Sequence, residues 1–297
     1  MNADTHASEH PPRLGSFGAY WRLMRFDKPI GILLLLWPTL WALWIAGQGS
    51  PSVLNVIVFV CGVVVMRAAG CVMNDIADRD FDPHVSRTRA RPLAAGELTV
   101  RQALAAFIIL MGLAFALVLL TNELTVKLAF AGAALAATYP FFKRVTHLPQ
   151  VVLGIAFGWS IIMAFAAETG GVPAIAWGLF AINVVWSVIY DTLYAMVDRE
   201  DDLRIGIKST AILFGQHDLV VLRALQAVMV AGLVLLGMEL GATWPWYAAV
   251  AVVGALFLLQ QLWVRQREPN ACFRAFLNNN WVGLALFAGL AGHYLLD

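Results

Sequence analysis

The chain has 297 residues, of which 60% are hydrophobic and 13% are charged, and its formal net charge is +1. The charged share is about half of that in soluble globular proteins, and one apolar core could not absorb the excess of hydrophobic residues. The composition therefore excludes a soluble enzyme, a disordered chain and a secreted disulfide scaffold. A net charge near zero also gives no overall field that would attract an acidic partner.

Residues 1–29 form a polar segment, and nine apolar spans follow it in chain order. Because the first apolar run begins near Ile30 without a small-residue cleavage pattern and many more runs follow, we do not interpret it as a signal peptide. Hydropathy places the spans at 30–47, 53–73, 102–121, 123–140, 151–167, 174–190, 219–237, 244–263 and 280–296. The third and fourth spans are nearly continuous, so their separate count is open. We predict an all-α polytopic membrane protein with a cytoplasmic segment, 1–29, and a single membrane domain, 30–297.

Lys and Arg residues are concentrated on one side of the predicted membrane domain. Seventeen of the 20 lie in the segments 1–29, 74–101, 141–150, 191–218 and 264–279, whereas the segments around 48–52, 121–123, 168–173 and 238–243 contain none. By the positive-inside rule, the N-terminus and the long loops 74–101 and 191–218 are expected to be cytoplasmic. Nine of the 19 acidic residues fall in two short clusters at the starts of these loops.

The first acidic cluster, Asn74 to Asp82, directly follows the second predicted span. If that helix continues past the span, Asp75, Asp78 and Asp82 lie at i, i+3 and i+7 and share one face. Carboxylates at this spacing repel one another, and Mg²⁺, which binds carboxylates together with phosphate oxygens of a substrate, would relieve the repulsion. The alternative is a solvated acidic helix end in which Arg79 pairs with a neighbour.

The second acidic cluster begins directly after the apolar run Ile182–Tyr190. On a continuing helix, one stripe would carry Asp191, Tyr194, Asp198, Asp201 and Asp202. An ionisable group at membrane depth is a candidate functional residue. Two carboxylate groups that face each other across a cavity suit two or more Mg²⁺ ions bridging a diphosphate.

Basic residues accompany both clusters. They are Arg67 inside the second span, Arg87, Arg89 and Arg91 after the first cluster, Lys143 and Arg144 after the fourth span, and Lys208 after the second cluster. Each of them can be a topology determinant, and Arg67 can extend its side chain to the membrane surface. Together they place cations beside carboxylates, as a bound diphosphate would require.

Both clusters resemble motifs of a known family. Asn74-Asp75-x-x-Asp78-x-x-x-Asp82 resembles the first aspartate motif of the UbiA superfamily of intramembrane prenyltransferases, and Tyr190-Asp191-Thr-x-Tyr194-Ala-x-x-Asp198-x-x-x-Asp202 resembles the second. The 4-hydroxybenzoate polyprenyltransferase branch has stretches similar to Arg67-Ala-Ala-Gly-Cys, Arg91-Pro-Leu-Ala, Tyr139-Pro-Phe-Phe-Lys-Arg, Leu148-Pro-Gln and Gly206-Ile-Lys-Ser-Thr-Ala-Ile-Leu-Phe-Gly. The resemblance extends from about Arg22 to Asn280.

The resemblance implies nine transmembrane helices around a central cavity with a cytoplasmic cap, in a bacterial inner membrane. It also implies Mg²⁺-dependent transfer of a polyprenyl chain from polyprenyl diphosphate to 4-hydroxybenzoate, at the ring carbon beside the hydroxyl, as an early membrane step of ubiquinone synthesis. An apolar cavity would keep water from the allylic cation, and the lipid tail could leave sideways into the bilayer. No nucleic acid and no obligate protein partner are expected.

The resemblance also gives each candidate residue a role. The Mg²⁺ ligands are expected to be Asn74, Asp78, Asp82, Asp198 and Asp202. The catalytic residues are expected to be Asp75, Asp191 and Tyr194, with Asp75 or Asp191 assisting deprotonation of the phenol. We expect Arg79, Lys143 and Lys208 to bind the diphosphate. We expect Arg144 or Arg67 to bind the carboxylate of the acceptor.

Three other functions stay open at this point. A sister prenyltransferase would use another acceptor, such as a naphthoate, homogentisate or a chlorin. A CDP-alcohol phosphotransferase would need an Asp-Gly and Ala-Arg pattern between its aspartates, which Asn74–Asp82 lacks. A divalent-cation transporter would favour carboxylates at mid-membrane on several helices, whereas these lie at the predicted cytoplasmic ends.

Overall fold

The structure, a computed structural model, describes residues 15–85 and 87–296. Within these residues it contains twelve α-helices, four short 3-10 turns and no strand, which confirms the all-α class. The helices are α1 (Phe17–Leu23), α2 (Ile30–Ala46), α3 (Val53–Asp78), α4 (Val100–Val118), α5 (Glu123–Thr138), α6 (Pro149–Thr169), α7 (Ala174–Val197), α8 (Arg199–Ile205), α9 (Thr210–Phe214), α10 (Asp218–Glu239), α11 (Trp244–Trp263) and α12 (Pro269–Leu296). The first 14 residues of the predicted N-terminal segment lie outside the described residues.

In the described part of the chain, nine helices coincide with the nine predicted spans. Their bounds differ most where α3 continues to Asp78, where α7 continues to Val197, and where α12 begins at Pro269. Seven stretches, which contain α3 to α7, α10 and α11, are long and apolar enough to cross a membrane, and α2 is a shorter apolar helix. The chain is therefore a multi-pass membrane protein, and the count of nine spans stays a prediction.

The division between α4 and α5 is fixed by a cap. After α4 ends at Val118, Asn122 accepts a hydrogen bond from the main-chain N–H of Thr125 at 2.9 Å and begins α5. Asn122 also donates to the carbonyl of Ala166 at 2.6 Å, which ties the connection to the end of α6. The third and fourth apolar runs are therefore two separate helices.

The centre of the bundle is formed by α2, α6, α7 and α12. The buried rings of Trp41 on α2 and Trp186 on α7 have centroids 5.2 Å apart, and the indole N–H of Trp186 donates to Asn279 of α12 at 2.9 Å. Helices α6 and α7 approach closely, because a Cβ on Gly154 would lie only 3.1 Å from the Cα of Val184. These contacts hold α7, which carries the first residues of the second acidic cluster, in the interior.

Neither acidic cluster lies on one continuous helix, which corrects the expectation of a single helical face. Helix α3 ends at Asp78, and Asp82 begins a separate 3-10 turn that contains Pro83, a residue that cannot continue an α-helical hydrogen-bond ladder. Helix α7 ends at Val197, and Asp198 separates it from α8. The carboxylates of each cluster therefore approach the same space from different directions.

Candidate active site

A polar cavity of about 1040 Å³ lies at the end of the bundle where α3 and α7 end. Eleven of the candidate residues line it: Arg67, Asn74, Asp75, Asp78, Asp82, Lys143, Asp191, Tyr194, Asp198, Asp202 and Lys208. The structure thus brings both acidic clusters to one shared space.

Two carboxylates of the first cluster share arginine partners. Arg25, which follows α1, donates from Nη2 to Oδ1 of Asp75 at 2.7 Å. Nη1 of Arg91 donates to the two oxygens of Asp82 at 3.0 and 2.9 Å and lies 3.3 Å from Oδ1 of Asp75. Because Asp75 and Asp82 are both buried, these ion pairs offset the cost of removing their charges from water.

Asp78, the last residue of α3, has two further donors. Lys143, from the 3-10 turn Tyr139–Arg144, forms an ion pair with it, and the side-chain amide of Asn74 donates to Oδ2 at 3.0 Å. Oδ1 of Asp78 is buried without a partner, and so is Oδ2 of Asp75. The first cluster therefore has unused acceptor capacity at the cavity.

Arg87 joins the first long loop to the second acidic cluster. Its Nε donates to Oδ1 of Asp198 at 2.9 Å, and its Nη1 donates to the hydroxyl of Tyr194. The guanidinium also lies over the ring of Tyr194, 4.6 Å from the centroid. The two loops are therefore linked across the cavity by an arginine rather than by contact between the acidic groups.

Asp191 lies on α7 and lines the same cavity. Gln150 of α6 lines the cavity with it. The amide oxygen of Gln150 accepts from the main-chain N–H of Thr210, at the start of α9, at 3.0 Å. Gln150 thus ties the lining of the cavity to the connection that follows the second cluster.

Several loop side chains have shifted pKa values. Burial raises the pKa of Asp202 to about 7, with a further contribution from the charge of Asp198. Burial also raises the pKa of Asp82 by more than Arg91 lowers it. For Arg87, burial lowers the pKa, but the hydrogen bond with Asp198 and nearby negative charge outweigh it and the net shift is upward. Added positive charge would stabilise these carboxylates in their ionised form.

The unpartnered carboxylate oxygens of Asp75 and Asp78 could accept a cation at this site. A buried carboxylate oxygen without a donor is costly, and oxygen is the ligand that Mg²⁺ prefers. No group of three His, Cys, Asp or Glu side chains in the described ranges is already arranged around one metal position. Arginine and lysine neutralise the carboxylates instead, so metal binding would require these ion pairs to rearrange.

Arg67 lies where the polar cavity meets a second cavity. Its Nε is buried without a partner, and its guanidinium lies 5.9 Å from the ring centroid of Phe157. Gly31 leaves the space for it, because any Cβ there would overlap the guanidinium. Arg67 therefore offers an unused donor at the inner end of the polar cavity.

Two candidate residues do not line the polar cavity. The side chain of Arg79 is 51% exposed, and its Nε lies 3.4 Å from Asp80. Arg144 donates to the main-chain carbonyl of Ala77, and its guanidinium lies over the ring of Phe81, 5.1 Å from the centroid. The structure does not place either side chain against the space that the substrates would fill.

Sequence reasoning missed part of the charge pairing. It did not single out Arg25, and it treated Arg87 and Arg91 only as members of a basic group. The stretches Arg91-Pro-Leu-Ala and Leu148-Pro-Gln contained part of the signal for Arg91 and Gln150. No local pattern identifies Arg25, which lies 50 residues from its partner Asp75 along the chain.

The second cavity is apolar and has a volume of about 380 Å³. Its lining comes mainly from α3, α4, α5 and α6 and is almost wholly aliphatic and aromatic. Arg67, Tyr139 and Phe157 line both cavities, so the two spaces adjoin. One molecule could place a charged head group in the polar cavity and its hydrocarbon chain in the adjoining apolar cavity.

Comparison with known proteins gives one consistent result. Residues 35–285 match the UbiA prenyltransferase family. The 4-hydroxybenzoate octaprenyltransferase of Methylococcus capsulatus is 60% identical over 93% of this chain and 95% of its own length, and that of Pseudomonas aeruginosa PAO1 is 56% identical over 93% of each. The apo structure of a UbiA homolog from Aeropyrum pernix K1 superposes with a TM-score of 0.77 at 26% identity, covering 87% of this chain and 96% of that one. A UbiA homolog from Archaeoglobus fulgidus bound to GPP and Mg²⁺ has the same fold, with a TM-score of 0.68 at 20% identity over 94% of this chain and all of that one.

Proposed function

Because the chain belongs to the UbiA prenyltransferase family, we propose that it transfers a polyprenyl group from polyprenyl diphosphate to 4-hydroxybenzoate, at the ring carbon beside the hydroxyl. The reaction is an early membrane step of ubiquinone synthesis. The observation that carries the proposal is a carboxylate-rich polar cavity that adjoins an apolar cavity. Relatives at 56–60% identity that act on 4-hydroxybenzoate support this acceptor.

The diphosphate end of the donor fits the polar cavity. The side chains that we assign to Mg²⁺ are Asn74, Asp78, Asp82, Asp198 and Asp202. When bound, Mg²⁺ supplies positive charge to the diphosphate as it leaves. Lys143 and Lys208 line the same cavity and add fixed positive charge.

The reaction breaks the allylic C–O bond of the donor, and the electron pair leaves with the diphosphate. The acceptor carbon beside the hydroxyl attacks the allylic cation, the ring then loses the proton of that carbon, and this proton leaves with the diphosphate. We assign assistance with the phenol proton to Asp191, which lines the cavity together with Tyr194. Asp75 is the weaker candidate, because Arg25 and Arg91 already pair with it.

The acceptor carboxylate fits Arg67 better than Arg144. Arg67 lines both cavities and has a buried, unpartnered Nε, so it can donate to a carboxylate near the start of the apolar cavity. Arg144 already donates to the carbonyl of Ala77. With the carboxylate at Arg67, the acceptor ring lies between the diphosphate site and the hydrocarbon site.

The same proposal includes the location of the protein. We assign it to the bacterial inner membrane, with the N-terminus and the two loops of the polar cavity in the cytoplasm, because 17 of the 20 Lys and Arg residues lie on that side. Residues 30–297 then form one membrane domain, with lipid as its surroundings and no protein partner required.

A membrane assay with one polyprenyl diphosphate and several aromatic acceptors tests the proposal. We expect diphosphate release and a C-prenylated product with 4-hydroxybenzoate, and neither in the absence of Mg²⁺. Preferential prenylation of a naphthoate or homogentisate would identify a sister enzyme instead. If no acceptor yields diphosphate while the membranes accumulate divalent cations, the protein is a transporter.

A further inference from the structure

Gly62 lies in the interior of α3 and faces the apolar cavity. A Cβ placed on it would meet no atom within 4 Å, so the space beside its backbone is empty. Glycine is the least favourable residue in a helix interior apart from proline. At Gly62 this cost coincides with free volume in the apolar cavity, whereas Gly112 of α4, which also has open space beside it, lines neither cavity.

Close helix packing does not account for the glycine at position 62. Gly132 of α5 lines the same cavity, but a Cβ there would lie 2.9 Å from the ring of Trp159, so a side chain is excluded by a neighbour. At Gly62 no neighbour excludes a side chain. The feature that a side chain would change at Gly62 is the free volume of the cavity.

The position of Gly62 along α3 sets how long the hydrocarbon chain of a donor must be to reach it. It lies 12 residues before Asn74, which corresponds to about 18 Å along the helix axis. Arg67, between them, is at the junction of the two cavities. A donor with one or two isoprene units, anchored by its diphosphate at the polar cavity, would end before Gly62, whereas a longer chain that follows the cavity along α3 passes it.

We propose that Gly62 is a specificity-determining residue that keeps the apolar cavity open to long polyprenyl chains. The inference rests on the proposed function, because its occupant is the hydrocarbon chain of the donor whose diphosphate binds in the adjoining polar cavity. A bulky side chain at this position would occupy the path of a long chain and leave the site of a short one unchanged.

The test compares Gly62→Phe with Gly112→Phe. Gly112 on α4 is exposed, lines neither cavity and also has nothing within 4 Å of a Cβ, so it is a matched control for a large apolar side chain in a membrane helix. Each purified variant is assayed with octaprenyl and with geranyl diphosphate. For Gly62→Phe we expect kcat/KM for octaprenyl diphosphate to fall at least about tenfold relative to that for geranyl diphosphate, as steric exclusion from an apolar site requires. The control should keep the wild-type ratio.

Gly62→Ala provides a graded change in case phenylalanine prevents folding. The ratio of octaprenyl to geranyl activity should fall from Gly to Ala and further to Phe. An unchanged ratio in both variants, or an equal loss with both donors, would overturn the inference, because long chains would then take another path or Gly62 would serve packing alone. Failure of the proposed function is distinguishable, since the wild-type protein would then use neither donor.

Discussion

At the scale of single residues, the site is a set of buried carboxylates that cationic side chains hold in place. Asp75, Asp78 and Asp82 are each less than 6% exposed, and Arg91 lies within ion-pair distance of all three. Buried charges of one sign are strongly destabilising unless they are paired. The arginine therefore stabilises the acidic cluster, and in the proposed reaction a substrate diphosphate that enters with divalent cations would compete for the same partners.

Asp78 provides the most direct test of this arrangement. Asp78→Asn keeps the shape of the side chain but removes the charge that Lys143 and a cation would bind. We expect kcat to fall by about 10²–10³, the usual cost of losing one electrostatic contact to a developing charge. The control is Asp80→Asn, whose side chain is 72% exposed and does not line the cavity. If the Asp78 variant kept near wild-type turnover at saturating Mg²⁺, the diphosphate site would be misplaced.

Substitutions of Arg67 and Arg144 distinguish a residue that binds the acceptor from one that only packs. The loss of a charge-assisted contact of about 2–3 kcal/mol corresponds to about a 30–150-fold rise in the KM for 4-hydroxybenzoate in Arg67→Ala. The KM for the polyprenyl diphosphate should change little, and Arg67→Lys should restore only part of the acceptor affinity, since lysine lacks the planar fork. Arg144→Ala removes the contact with the Ala77 carbonyl and should not act selectively on the acceptor. A selective rise in acceptor KM for Arg144→Ala would reverse the assignment.

At the scale of secondary-structure elements, one buried carboxylate beside the second acidic cluster connects two helices and a loop. Asp218, fully buried at the start of α10, forms an ion pair with Arg199, the first residue of α8. Nε of Arg267, which lies between α11 and α12, donates to the two oxygens of Asp218 at 3.0 and 3.1 Å. Since Arg199 follows Asp198 directly, the ion pairs of Asp218 fix the point at which the chain turns after α7.

Asp218→Asn tests the contribution of this cluster to stability. Removing one partner leaves two arginines near a buried position without their counter-charge, for which we expect a loss of about 3–5 kcal/mol in the free energy of unfolding. The measurement is the midpoint of unfolding in detergent. Glu123→Gln, in the exposed pair with Lys127, is the control and should leave the midpoint almost unchanged. Equal midpoints for the Asp218 variant and the wild type would show that these elements are held by other contacts.

The helices could be predicted from the sequence far better than the pairing of their charges. Long apolar runs and local signals such as the Asn122 cap act over a few residues, so they place α2 to α7 and α10 to α12 directly. The contact between Arg87 and Asp198 joins positions 111 residues apart and exists only after α3 and α7 have packed. The sequence therefore indicated which carboxylates meet, whereas it did not indicate which arginines neutralise them.

At the scale of the whole molecule, large apolar side chains cover the outside of the bundle and charges gather at one end. Ile108 of α4 is 62% exposed and Leu258 of α11 is 70% exposed, which suits contact with lipid rather than water. The polar cavity lies at the end that carries the connections 79–85 and 87–99 after α3 and 198–209 after α7. A charged diphosphate can therefore enter from water, while the hydrocarbon chain stays at membrane depth.

The orientation of this charged end is the final prediction. In a background from which Cys61, Cys71 and Cys272 have been removed, cysteine is introduced at Glu200, whose side chain is 90% exposed on α8, or at Ser50, which is exposed between α2 and α3. In intact cells a membrane-impermeant maleimide should label Ser50→Cys at once and Glu200→Cys only after the membrane is permeabilised. The reason is that the segment around Ser50 contains no Lys or Arg, whereas the loop that contains Glu200 contains three. The opposite labelling pattern would place the polar cavity outside the cytoplasm, where a polyprenyl diphosphate made inside the cell could not reach it from the aqueous side.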